Sequence, residues 1–303
     1  MPRQTSQSCK SILHADLLAT ISWLIHGFST RVGGNSRAYG GRSLNLGFTK
    51  HDSHRAVERN REAFLKQLDA TVKGHTSPLV TTRQIHSDLI HCVDDQRDVQ
   101  RNNEGNLRLV GDGLITRTRG ILLAVLTADC LPIIVVDPRQ RAVGVFHAGW
   151  RGTVKRIVEK GIGEMRRCFG SRPLDIRAAI GPGIHSCCYE VGPEVREQFE
   201  SQFGYGSELF HEVKDSDPVR EKYPLLFLTA RAPGHSDLPR KIFLDLVEAN
   251  RRQLLAAGVP AGNIFASPLC TSCRTDLLFS HRAEKGITGR MMAAVGIRPR
   301  DRD

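Results

Sequence analysis

A thiol and an imidazole that meet in a fold can hold a metal ion or form an activated nucleophile, and Cys130 and His147 are placed to meet. Cys130 stands just before a β-branched apolar run ending at Asp137, and His147 closes a second run that starts at Ala142. Only Pro138-Arg139-Gln140-Arg141 separates them, the pattern of two antiparallel strands joined by a tight connection. A two-residue turn at Pro138 and Arg139 sets Cys130 opposite His147. A four-residue loop ending at Arg141 shifts the pairing by two residues. In either register the two side chains are cross-strand neighbours, with Cβ atoms about 4.5–8 Å apart. Gly149 and Gly152 leave backbone room for a ligand beside them.

A third group joins this pair if the alternating run Leu79 to Ile85 is a strand ending at His86. Two imidazoles and a thiolate make a three-ligand zinc site with its fourth position open, the arrangement of a catalytic centre. Zinc brings bound water to a pKa near 7. The hairpin supports Cys130 with His147 and is silent on His86. Two other chemistries use the same residues. In a metal-free hydrolase, Cys130 is the nucleophile, His147 its base and Asp129 an orienting acid. In a copper protein the trio holds one ion, but a multicopper cluster lacks ligands because His-x-His pairs are absent. A structural role competes with all three, with Cys130 a small core residue and His147 a hydrogen-bonded strand end. Cys270-Thr-Ser-Cys273 is a solitary C-x-x-C, and no H-x-E precedes a P-C-x-x-C, so the zinc nucleobase-deaminase signature is missing.

The elements that must position these groups are short strands mixed with amphipathic helices. Ile21 to Phe28 and the apolar run Ile121 to Leu126 read as strands, the latter buried on both faces and delivering Thr127-Ala-Asp129-Cys130. Ile176 to Ile180 is another strand. Helices are expected from Asp52-Ser53 to about Leu68, from Gly152-Thr153 to about Phe169, from Pro193 onward, and from Phe243 to Ala257. The start of the second points its free N–H groups toward Trp150-Arg151, suited to an anion. Asp94 to Leu109 reads as a loop. The pattern predicts an α+β fold: a single domain of mixed, largely antiparallel β-sheet flanked by α-helices. Residues 1–20 form a weakly ordered tail, 21–296 the catalytic domain with an insertion or flap at about 204–241, and 297–303 a C-terminal tail.

Composition narrows the partners. The 303 residues carry 43 Lys and Arg against 32 Asp and Glu, a formal charge of +11, yet the basic residues are scattered and aromatic content is 6%. Diffuse charge without interleaved aromatics argues against nucleic acid. Eight cysteines without a disulfide pattern fit reduced thiols in the cytoplasm. The stretch from Leu17 to Ile25 is too short and too interrupted for a membrane span, and it lacks a cleavage site for secretion.

Several motifs in order complete the reading. Thr82-Arg-Gln84-Ile-His86, Gly111-Asp112-Gly113-Leu-Ile-Thr116, Thr127-Ala-Asp129-Cys130-Leu-Pro132, His147-Ala-Gly149-Trp150-Arg151-Gly152, Gly181-Pro-Gly183-Ile and Cys188-Tyr-Glu190-Val resemble the YfiH-type purine nucleoside phosphorylases, formerly labelled polyphenol oxidases or laccase-domain proteins. His26 to Arg31, Asn45-Leu-Gly47, Asn60-Arg61, Cys270-Thr271, Phe279 to Arg282 and Thr288-Gly-Arg290-Met fit as well, so the resemblance runs from about residue 24 to 295.

The resemblance implies zinc on His86, Cys130 and His147, with copper the alternative metal. It implies phosphorolysis of adenosine, inosine, guanosine and methylthioadenosine, adenosine deamination, and a homodimer. Phosphorolysis needs a cationic cradle for phosphate, for which Arg31, Arg61 and Arg151 are candidates. Asn45 and Gln84, within the matching motifs, join them as substrate-binding candidates. Asp129 and Glu190 are the acids nearest the motifs and candidates to move protons beside Cys130 and His147. The segment from about Glu212 to Lys241 is longer than the family pattern and is expected to cover the cleft or a subunit contact.

Overall fold

The computed structural model describes residues 11–72, 75–93, 109–214 and 240–299. The chain divides into two compact units, residues 1–185 with 246–303 and residues 186–245. The first is built on two sheets. One runs Ile12–Leu13, Leu24–Ser29, Met291–Ile297, Leu122–Thr127, Leu79–Thr81, antiparallel except for its last pair. The other runs Ile264–Ala266, Arg177–Ile180, Leu131–Asp137, Ala142–Ala148, Gly113–Thr116, Ile90–Cys92, antiparallel in its middle and parallel at both edges. The expected α+β class, with largely antiparallel sheets flanked by helices, is what forms.

The two sheets face each other. Leu123, Val125, Ala293 and Val295 of the first share one core with Leu114, Ile134, Val136, Val143, Val145 and Ala179 of the second. Alternate residues of the first sheet, Leu122, Ala124, Met292 and Ala294, pack with Phe64 and Leu68 of the helix His54–Gln67 or its end. On the far side, the helix Ile157–Phe169 comes so close to the second sheet that a Cβ on Gly161 would lie 2.2 Å from Phe146. Both sheets are therefore covered on both faces. This is why Ile121 to Leu126 and Ile133 to Val136 are unbroken apolar runs rather than alternating ones.

Three expected elements have other bounds than their apolar pattern suggests, two of them where a side chain takes over a backbone partner. The strand from Leu79 stops at Thr81, and the Gln84 carboxamide bonds both the N–H and the C=O of Leu126 at 2.8 Å in place of the ladder. The helix expected from Gly152 to Phe169 starts at Trp150, breaks after Val154 and resumes at Ile157. At the break, Gln253 Nε2 donates to the Thr153 carbonyl at 2.7 Å, and Arg156 turns left-handed with φ 64°. Phe243 and Leu244 belong to a strand, Arg240–Leu244, and the helix begins at Leu246.

The second unit has a three-stranded antiparallel sheet, Glu190–Val191, Arg240–Leu244 and Phe210–Lys214, with the helix Pro193–Gln202. Phe199 is buried there with the Phe203 and Phe210 rings 5.8 Å away. The insertion expected at 204–241 lies within this unit. Its apolar island Leu225 to Leu228 and most of the 94–109 loop fall outside the described residues. No helix among the described residues is long and apolar enough to cross a membrane.

Residues 11–20, read from sequence as tail, are packed: Ile12–Leu13 pairs with Phe28 and Ser29, and Leu18 is buried. This segment also encloses His26, whose Nε2 accepts the Ala15 N–H at 3.3 Å with the His14 ring edge-on at 5.2 Å. Burial, reinforced by His14, pushes the His26 imidazole down to about 4. The unfolded chain takes up this proton near pH 6.5 and the folded chain near 4, so stability is complete above pH 6.5 and falls as pH drops toward 4. The loss at the acid end is roughly 3 kcal/mol. Urea midpoints at pH 7 and 4.5 are expected to show it, with a smaller decline in His26→Gln; equal declines in both proteins would assign the effect elsewhere.

Candidate metal centre

Two of the expected ligands sit where the chain steps from the first sheet to the second. Between Thr127 and Leu131 it turns through Asp129, whose φ of 89° is rare for a residue with a side chain. The turn is held from several sides. The Asp129 carboxylate accepts Thr271 Oγ1–H at 2.6 Å and the Arg282 N–H at 2.7 Å, and its carbonyl accepts the Ile184 N–H at 2.8 Å. A Cβ on Gly183 would lie 2.3 Å from Leu131 Cδ2 and 2.9 Å from the Asp129 carbonyl oxygen. The Gly181-Pro-Gly183, Cys270-Thr271 and Ser280-His-Arg282 motifs thus converge on the corner that presents Cys130.

His86 stands on the other crossover, between Thr81 and Ile90, and is itself left-handed with φ 58°. It is delivered by a loop and not by a strand end. The backbone N–H groups of Ile85, His86 and Ser87 point at the Asp112 carboxylate at 3.2, 3.0 and 2.6 Å, and Ser87 Oγ donates at 2.7 Å. His147 lies in the strand Ala142–Ala148, with Pro132 opposite it and Leu131 opposite Ala148. The connection at Pro138 to Arg141 is therefore the four-residue loop, and Cys130 falls two residues from its alignment with His147.

The result is a cluster. One ligand atom from each of His86, Cys130 and His147 lies within 4.8 Å of the others, and the two rings are 5.0 Å apart. Gly149 makes this possible, since a Cβ there would stand 2.8 Å from Cys130 Sγ and 3.1 Å from His86 Cδ2. His147 and its surroundings are buried while His86 is exposed, so the cluster has a protected floor and an open side.

Electrostatics ties the three together. Burial alone pushes the Cys130 thiol up, but the adjacent His147 and His86 outweigh it and bring it down to about 6. Burial alone pushes His147 down, and the Cys130 thiolate with the Asp112 carboxylate raises it to about 9. Burial also opposes ionisation of Asp112, and its bonds to His147 and Ser87 hold it far below the usual carboxylate range. A thiolate flanked by two imidazoles wants a cation, a proton in its absence or a metal in its place. Donor atoms of a tetrahedral zinc site lie roughly 3.3–3.7 Å apart, given bonds of about 2.0–2.3 Å. The observed cluster needs only small side-chain rotations to reach that. The donor set suits zinc or copper.

The other candidates are placed as follows. Arg31 donates to the Thr275 and Tyr39 carbonyls, pairs with Glu284 at 3.1 Å and lies over the Phe279 ring. It lines a cavity of about 660 Å³ with Arg42, Asp276 and Glu284. Arg61 donates to the Leu46 carbonyl and covers Phe48 at 4.4 Å. Asn45, fully buried, bonds Gly47, Asp52 and the Arg290 N–H. Gln84 clamps Leu126 as described above. Arg151 is exposed, two residues beyond Gly149, and stacks on Trp150 at 4.3 Å. The anion position expected at the start of a helix at Thr153 does not form: Thr153 is inside a five-residue helix, and its N–H is taken by the Gly149 carbonyl. Glu190 is exposed in the second unit, on the strand Glu190–Val191.

Asp112 is the site residue that sequence reasoning quoted within a motif and gave no role. An acid between two glycines, opening an otherwise apolar strand, was the available signal, because a buried carboxylate must be met by donors.

Comparison with known proteins places the chain in a family. A family model described as multi-copper polyphenol oxidoreductase laccase matches residues 25–298. The chain is 36% identical over 285 residues to a protein of Geobacillus stearothermophilus named purine nucleoside phosphorylase YlmD, covering 90% of each. It is 37% identical to a protein of an unknown prokaryotic organism named adenosine deaminase RL5, over 72% of this chain and 74% of that one. The crystal structure of a Bacillus licheniformis protein titled hypothetical protein YfiH superposes with a TM-score of 0.78 at 33% identity, covering 95% of this chain and 97% of that one. From the match along nearly its full length and the shared fold, the chain belongs to the YfiH/YlmD family of laccase-like proteins.

Proposed function

We propose that this protein is a zinc-dependent purine nucleoside phosphorylase that also deaminates adenosine. The observation that carries the reading is the trio of His86, Cys130 and His147, drawn together with one side open, in a chain similar to relatives bearing those two names. Zinc held there supplies Lewis acidity in a partly desolvated setting.

The rest of the chemistry falls to the chain's own groups. Phosphorolysis transfers the anomeric carbon from the purine nitrogen to a phosphate oxygen, and the phosphate dianion must be held against that carbon. Of the three arginine candidates, Arg31 and Arg61 are committed to carbonyl oxygens, Arg31 to a carboxylate as well. Arg151 makes a ring contact and, among the described residues, its side chain shows no hydrogen-bond partner; it stands two residues beyond Gly149, where an added Cβ would meet both Cys130 and His86. Arg151 is the phosphate-binding residue in this reading. Asp129 has both oxygens engaged and serves to fix the Cys130 corner.

The test is product identification with adenosine, with and without phosphate. Adenine and ribose 1-phosphate that appear only with phosphate, with inosine in either case, support the proposal. Arg151→Ala is expected to raise the KM for phosphate roughly ten- to a hundredfold, the scale of a lost charged hydrogen bond, and to spare deamination. The lowering of the Cys130 thiol and the raising of His147 by one another favour a second reading, a thiol hydrolase. Esterase activity that survives chelation, with neither purine product, selects it. Bound copper with phenol oxidation selects the oxidase.

A further inference from the structure

We infer that Asp112 is a positioning residue that assembles the ligand trio, setting both imidazoles with one carboxylate. The inference rests on the reading of His86, Cys130 and His147 as metal ligands.

The Asp112 side chain is fully buried, and every bond it makes goes to a ligand or to a residue beside one. Oδ1 takes the Nδ1–H of His147 at 2.8 Å and the backbone N–H of His86 at 3.0 Å. Oδ2 takes the N–H groups of Ile85 and Ser87 and the Ser87 hydroxyl. The main chain joins in, since the Asp112 carbonyl accepts the His147 N–H at 2.7 Å and its own N–H is given to Leu89, past His86.

Two consequences follow. With Nδ1 donating to Asp112, Nε2 is the nitrogen left to face Cys130 and His86, the one a metal would take in place of its proton. The backbone at His86 has φ 58°, a conformation that costs about 1–3 kcal/mol and persists only where neighbours impose it. The three convergent N–H bonds to Asp112 impose it. Freed from them, the His86 loop has no reason to keep its ring 5.0 Å from that of His147. A carboxylate is needed because it accepts at both oxygens and donates nothing, whereas an amide turns an NH₂ group toward at least two donors.

Asp112→Asn tests this. The full-length protein and the variant are stripped of metal, checked for folding by circular dichroism and thermal melting, and titrated with zinc against a chromophoric chelator. The folded variant is expected to bind zinc roughly 10- to 100-fold more weakly, and its cobalt-substituted form to lose the intensity of a tetrahedral thiolate site. A purely structural role would lower the melting temperature and leave zinc affinity and the cobalt spectrum unchanged, and that result overturns the inference. If Asp112→Asn does not fold, Ser87→Ala carries the test, removing one bond to Oδ2 and leaving both rings intact. About threefold weaker zinc binding supports the inference, and unchanged affinity overturns it. Wild-type protein that takes up no zinc rejects the metal reading and the inference together; wild-type binding matched by folded Asp112→Asn rejects the inference alone.

Discussion

His86→Ala is expected to abolish stoichiometric zinc and to lower adenosine phosphorolysis by about a thousandfold or more, while the protein stays folded. The ring is exposed, so its removal empties no core and leaves the apolar packing between the sheets untouched. His86 already occupies the left-handed position, so Ala there brings little additional backbone strain. The activity loss is larger because, in the proposed reading, one of three zinc ligands is gone, and metal chemistry of this kind is worth several kcal/mol in the transition state. Metal content by plasma emission and steady-state kinetics are the measurements. The variant also separates the competing chemistries, since a hydrolase built on Cys130 and His147 has little use for a third residue at 86. Full zinc and full turnover in His86→Ala would end the account of the trio.

Gly149→Ala should be nearly as damaging, by a different route. Gly149 has φ −77° and ψ 171°, an extended conformation open to any residue, so no backbone strain is at issue. What matters is contact: the added carbon meets Cys130 Sγ at 2.8 Å and His86 Cδ2 at 3.1 Å. Neither neighbour can retreat cheaply. Cys130 follows a corner pinned by Thr271, Arg282 and Ile184, and His86 sits on a loop held by Asp112. One methyl group therefore wedges the ligands apart, with turnover falling at least about a hundredfold, as misplacement by an ångström does in other sites. Gly163→Ala is the control. Nothing lies within 4 Å of a Cβ there, so helix propensity should raise stability by about 0.5–1 kcal/mol without touching activity. Equal activity in the two variants would show that the approach at Gly149 is unimportant.

What could be read from the residues alone was whatever depended on apolar pattern and local pairing. The Cys130 to His147 hairpin was legible because Ile133 to Val136 are all β-branched, Val143 to Phe146 continue the apolar pattern, and the connection is short. The two registers could not be separated, since both Asp137 and Arg141 are compatible with either turn. The structure resolves this by having the Asp137 carboxylate accept the Arg139 and Gln140 N–H groups at 2.8 and 3.0 Å, capping a four-residue loop. Two of the elements that went astray, the strand beyond Thr81 and the helix around Thr153, were set by side chains bonding distant backbone. Gln84 meets Leu126 across 42 positions and Gln253 meets Thr153 across 100, and no local window contains both partners. Asp112 belongs to the same class. The arginines show the limit in another form, because residue type marks Arg31, Arg61 and Arg151 as equals and only their contacts rank them.

The corners at His86 and Asp129 lie on the two places where the chain leaves the five-stranded layer for the six-stranded one. A cation gripped by His86, Cys130 and His147 is consequently a rivet through both layers, and its binding energy is felt as cohesion between them. In the proposed reading, occupancy and stability rise and fall together, so the melting temperature of the protein is expected to increase with added zinc.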